Sequence, residues 1–184
     1  MRAFVIVPAI AVLAIFPIVS AHAAVMTVGG PLSGDCYQAA LAHDGRSAAM
    51  EACTRSLQEE SLSDKDRAAT LVNRGIVQMS AGRSDAADAD FDRALLLNAA
   101  LPDGWLNKGF LRLRQGRGQD ALPFIQKGID AGAGRQATAI FGRAVANEQI
   151  GNYRAAYEDL MLARKLDPRW SLPREYLASY QVRK

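Results

Sequence analysis

The chain is expected to fold as an all-α, right-handed solenoid of antiparallel helix hairpins closed by a C-terminal capping helix, and three observations lead there. Composition is the first: of 184 residues 49% are hydrophobic but only 7% aromatic, with alanine the commonest apolar residue. Alanine is the best helix former and lets helices approach closely. The second is that the period-2 alternation of Val, Ile and Tyr expected of half-buried strands is missing from the sequence. The third is a recurring small-residue code. Gly75, Gly109 and Ala144 are each followed by an alanine, Ala87, Ala121 and Ala156, at one fixed interval, and the copies lie 34 and then 35 residues apart.

Charge narrows the function classes. A net charge of +3, with 22% charged residues of mixed sign along the chain, leaves no electrostatic footprint for nucleic acid or an anionic lipid surface. The only membrane association expected is through the first segment. There Arg2 is a one-charge head, residues 4–15 an apolar core, Pro17 a break, and Ala21, His22 and Ala23 a small-x-small site before Ala24. This pattern reads residues 1–23 as a secretory signal peptide. The alternative is a retained anchor, for which the apolar run 3–19 falls short of the ~20 residues that span a bilayer. The expected location is across the inner membrane, in the periplasm.

Residues 24–35 mix small residues with Gly29, Gly30 and Pro31 and read as a flexible lead-in. A first hairpin is expected over 36–60, its two helical runs broken at Asp44 and Gly45, with Met50, Cys53 and Leu57 on one stripe. Ser63 or Asp64 then offers an N-cap. Three cleaner copies follow at 68–101, 102–135 and 137–168, with turns at Gly82, at Gly116 to Gly118 and at Gly151. The residue that lengthens one spacing falls among Gly132, Ala133 and Gly134, where glycine can end a helix at positive φ. Residues 171–184 read as the capping helix, with Ser171 at its start, Pro173 in its first turn, and Tyr176, Leu177 and Tyr180 on its apolar face.

The repeats resemble the tetratricopeptide family, whose code places a large residue and a small residue in the first helix and alanines around a large residue in the second. The matching residues are Leu71, Gly75, Ala87, Phe91 and Ala94; Trp105, Gly109, Ala121, Ile125 and Gly128; and Ile140, Ala144, Tyr153, Ala156, Leu160, Ala163 and Pro168. The proline that usually follows the second helix is missing from two copies, and Pro123 sits inside one second helix. In such a solenoid each hairpin buries its open face only against a neighbour. Small residues at the waist let the two helices touch, and the large residues fill the layer between hairpins.

The resemblance implies a concave face built from the first helix of each hairpin. By register that face carries Val72, Asn73, Ile76 and Met79; Leu106, Asn107, Phe110, Leu113 and Arg114; and Phe141, Val145 and Glu148. Asn73 and Asn107 hold equivalent places, where the family commonly bonds the backbone of an extended peptide; the alternative is that both merely bridge local helices. An amide can serve both the N–H and the C=O of a ligand. Val72 and Ile76 stand where a clamp for a terminal carboxylate would need Lys and Asn, so such a clamp is incomplete.

Register also relates Cys36 and Cys53, which fall beside Arg74 and on Phe91 of the next copy. In an oxidising compartment they can pair; two buried thiols are the alternative. A cation recurs at Arg74, Lys108 and Arg143, either as an anion-binding ladder or paired within the protein, Arg74 with Asp90 or Asp92 and Arg143 with Glu158 or Asp159. Asp85, Asp88, Asp90 and Asp92 read as a solvated acidic face. His43 is the one histidine after the signal segment, and nothing joins it at metal or catalytic spacing. No enzymatic activity, metal or cofactor is expected. The expected function is a scaffold or adaptor binding a peptide or protein through the concave groove, or alternatively a self-associating subunit whose groove a neighbouring chain fills.

Overall fold

The computed structural model describes residues 5–8 and 30–183. After β1 (Val5–Pro8) come four hairpins: α1 (Pro31–Leu41) with α2 (Ser47–Glu59), α3 (Asp64–Ser80) with α4 (Ser84–Leu97), α5 (Pro102–Arg114) with α6 (Gly118–Asp130), and α7 (Gln136–Gln149) with α8 (Tyr153–Leu166). The chain then forms α9 (Leu172–Ala178) and β2 (Tyr180–Arg183). Each second helix meets the first helix of the next hairpin, and first helices meet one another. This is the repeat solenoid expected, because a hairpin with one open apolar face is stable only when stacked. Among the described residues no helix is long and apolar enough to cross a membrane.

Local chemistry sets the boundaries. Ser63 caps α3, its hydroxyl accepting from the Asp66 N–H at 3.2 Å, and Asp64 and Asp66 add favourable charge in the first turn. At the hairpin turns Gly82 and Gly116 have φ of 75° and 70°, a region where a side chain would crowd the backbone. There the next N–H reaches back to close the helix, Arg83 to the Gln78 carbonyl and Arg117 to the Arg112 carbonyl, both at 2.9 Å. Gly132 does the same after α6 at φ 82°. Pro123 lies within α6 without breaking it.

The waist code works as expected. A Cβ added at Gly75 would overlap the Phe91 ring, and one at Gly109 would overlap the Ile125 side chain. Ala87, Ala121, Ala144 and Ala156 are buried, as are Phe91, Ile125 and Leu160. The interior forms two clusters, one reaching from Cys36 to Leu111 and one from Leu106 to Tyr180.

Three boundaries differ from expectation. α1 starts at Pro31, inside the expected lead-in, because proline suits the first helical position and the Leu32 and Ser33 N–H groups both donate to the Glu60 carboxylate at 3.0 Å. The capping helix ends at Ala178 rather than running to 184. Ser179 turns its hydroxyl onto the Tyr176 carbonyl at 2.7 Å, a local bond that competes with helix continuation, and Tyr180 to Arg183 pair antiparallel with Val5 to Pro8. Ser171 makes no side-chain cap; its carbonyl accepts from Arg174 and Glu175 instead. Apart from β1, the expected signal segment and the lead-in up to residue 29 lie outside the described residues.

Candidate functional site

The first helices α3, α5 and α7 stand side by side and carry the residues assigned to the concave face. Val72, Asn73, Ile76 and Met79, then Leu106, Asn107, Phe110 and Leu113, then Phe141 and Val145, are all buried. Arg114 is exposed at the end of α5 and Glu148 is half-buried. The face is therefore covered by the protein itself. Part of the burial comes from packing between first helices: the Phe110 ring sits where a Cβ on Gly142 would be, and Gln149 donates from Nε2 to the Leu113 carbonyl at 3.0 Å. Phe141 serves the cap, its ring 5.0 Å from both Trp170 and Tyr176 between centroids.

Among the residues assigned to this face the two asparagines carry buried polar atoms without partners, as Gln78 on α3 and Gln149 on α7 also do at Oε1. Asn73 is fully buried, and neither its Nδ2 nor its Oδ1 has a hydrogen-bond partner among the described residues. Asn107, fully buried one repeat later, donates from Nδ2 to the Asp103 carbonyl at 2.8 Å and leaves Oδ1 unmet. A buried polar atom without a partner costs roughly 1–3 kcal/mol, and native structures hold few. Asn107 thus bridges its own helix in part; Asn73 bridges nothing. The chemistry left over is one donor and two acceptors in an apolar setting.

Charge at the end of the face is muted. Burial pushes the Glu148 carboxyl above its usual range, opposed by the Tyr180 hydroxyl beside it. Burial and the Glu148 charge push the Tyr180 hydroxyl upward in turn. Asp103, under the Asn107 side chain, is pushed up to about 7 by burial, although Arg135 pulls the other way.

The recurring cations are consumed within the protein. Arg74 makes a bidentate pair with Asp90 at 2.7 and 2.8 Å, and Arg143 makes the same pair with Asp159 at 3.0 and 2.8 Å. Lys108 reaches Asp92 at 2.5 Å and Asp88 at 3.2 Å, and Arg112 also bonds Asp88 at 2.8 Å. The acidic run on α4 is a solvated face only in part: Asp85 and Asp92 are exposed, while Asp88 is half-buried and Asp90 buried. Asp90 is 2% exposed, because the register that buries Phe91 also turns Asp90 inward onto Arg74.

Cys36 and Cys53 form a disulfide, their Cα atoms 4.6 Å apart, as the register across the first hairpin allows. Sequence reading missed the aromatic stack between α5 and α6: Trp105 lies over Phe124 at 6.2 Å, with Lys127 4.3 Å above Trp105 and Lys108 and Arg112 near Phe124. Its signal was legible, since Trp105 and Phe124 are large residues flanked by cations at helical spacing.

No protein-family model and no curated protein sequence matches this chain. Solved structures do. MamA from Desulfovibrio magneticus RS-1, from residue 41 to its end, superposes with a TM-score of 0.61 at 23% identity over 80% of this chain and 82% of that one. A double mutant of MamA RS-1 gives 0.62 at 21% identity, over 79% and 77%. At these identities the likeness establishes the fold, a helical solenoid of tetratricopeptide type.

Proposed function

We infer that this protein is an exported, non-enzymatic scaffold that binds an extended segment of a peptide or protein partner along the face of α3, α5 and α7. The observation that carries the reading is Asn73, a fully buried amide with donor and acceptor both unmet, one repeat from the unmet acceptor of Asn107. An extended chain offers N–H and C=O groups at regular intervals, and amides at repeat spacing suit it without fixing its sequence. The apolar residues around them would accept its side chains. Because the face is covered in the free protein, binding displaces that cover, and the unmet amides gain the partners they lack.

Export is supported by the Cys36–Cys53 bond, since disulfides persist in oxidising compartments. Photocrosslinking in cells from Arg114, at the exposed rim of α5, tests the binding reading. A partner captured by the native protein and lost with Asn73→Leu and Asn107→Leu together supports it. Equal capture by native and doubly substituted protein would remove it.

A further inference from the structure

A second surface feature lies where α2, α3 and α4 meet. A crevice of about 430 Å³ opens there, lined by Leu57, Leu71, Leu96 and Leu97 together with Arg67, Arg74 and Arg93. Leu96 is 86% exposed and Leu97 40%, an unusual display for adjacent leucines on a helix that otherwise buries its apolar side.

The next repeat shows what such a crevice is shaped to hold. Moving by one 34-residue period takes Leu71 to Trp105, Asp90 to Phe124 and Arg93 to Lys127. In that copy Trp105 and Phe124 stack on each other, and the Lys127 ammonium lies over the indole. In the earlier copy both aromatics are replaced by smaller residues, while the cation above them is kept. The Phe124 place is taken by Asp90 and its Arg74 partner, and the space beside the Trp105 place is left open and lined mainly by leucine.

The charges are also left open. Asp90 is already held by the Arg74 guanidinium on two bonds, and Arg93 approaches that same carboxylate only at 3.8 Å. Arg67 donates to the Leu57 carbonyl and has no carboxylate within ion-pair distance among the described residues. The geometry points to a second docking site: the crevice takes an aromatic side chain from an acidic segment of a protein partner. The ring enters among the leucines beside the place Trp105 takes one repeat later, Arg93 covers its face, and the flanking carboxylates meet Arg67 and Arg93. This site is independent of the α3, α5 and α7 face.

The test is nuclear magnetic resonance of the full chain titrated with an acidic peptide carrying one tryptophan between glutamates. Control peptides replace the tryptophan by alanine or the glutamates by lysine. The expected result is saturable shifts at Leu57, Leu71, Leu96 and Leu97, absent with both controls. Leu96→Asp and Arg93→Gln, both at exposed side chains, should each weaken binding by roughly tenfold while the helical circular dichroism signal is kept. Equal shifts from the alanine peptide, shifts confined to other residues, or no response at millimolar peptide overturn the proposal. So does a concentration-dependent dimer that Leu96→Asp abolishes, which would make a second copy the occupant. Dodecanoate shifting the same residues with the acidic peptide unable to compete would make it a lipid anion.

Discussion

Asn73 sits in a place where leucine would be more stable. The two side chains have the same number of heavy atoms, and the amide forms no bond that leucine would lose. Asn73→Leu should therefore raise the stability of the free protein by about 1 kcal/mol or more, read from the denaturation midpoint, while partner capture falls. A destabilised variant would show that the amide has a structural role. Asp103 supports a prediction of opposite kind. Its folded-state carboxyl is raised to about 7 from 3.8, since burial outweighs the favourable field of the α5 N-terminus. The fold thus binds a proton more readily than the unfolded chain, and stability falls as pH rises from about 4 to about 7, then levels off. Asp103→Asn should flatten that slope, with a thermal midpoint above the native protein's at pH 8, less so at pH 5, and close to it only at about pH 3.

Elements are held by different means along the solenoid. The first hairpin has the fewest large core residues and gains a covalent tie, Cys36–Cys53, closing a separation of 17 residues. Constraining the unfolded chain over a loop of that length stabilises by about 3 kcal/mol. Reduction should lower the unfolding midpoint and raise amide exchange in α1 and α2 first, with α5 to α8 little changed; uniform exchange would contradict this. The second hairpin relies on Arg74 and Asp90, 15% and 2% exposed. Asp90→Ala strands a buried guanidinium and should cost roughly 3–5 kcal/mol, whereas replacing both by apolar residues of similar size should cost far less. A double-mutant cycle measured by chemical denaturation separates the two outcomes.

For the whole molecule, the arrangement is quasi-linear: two interior clusters meet where α4 passes to α5, and the cap closes the far end through Phe141, Trp170 and Tyr176. Residues before Pro31 contribute no helix to either cluster among the described residues. A chain starting at Ala24 should keep the full helical circular dichroism signal, losing only the β1 pairing to β2; loss of helix would show that the first segment is part of the fold. The two proposed surfaces differ in access: the asparagine face is covered until a partner displaces its cover, and the leucine crevice is open.

The repeat code was legible because it is steric and local to one hairpin. Gly75 against Phe91 and Gly109 against Ile125 leave no room for other residues, so the period, the turns and the stacking follow from the order of residues alone. The disulfide was legible by the same register, although pairing itself was a choice the sequence left open. Only the tertiary structure decided what that register exposes. Register assigned Asn73 and Asn107 to a face, but burial depends on what packs across that face. It likewise named Asp90 as acidic, but whether a carboxylate meets water or Arg74 depends on the neighbouring helix. The end of the cap at Ala178 was decided by a hydroxyl at Ser179 and by pairing with residues at the other end of the chain. Patterns within a hairpin are written into sequence spacing; contacts between distant segments arise only when the helices have stacked.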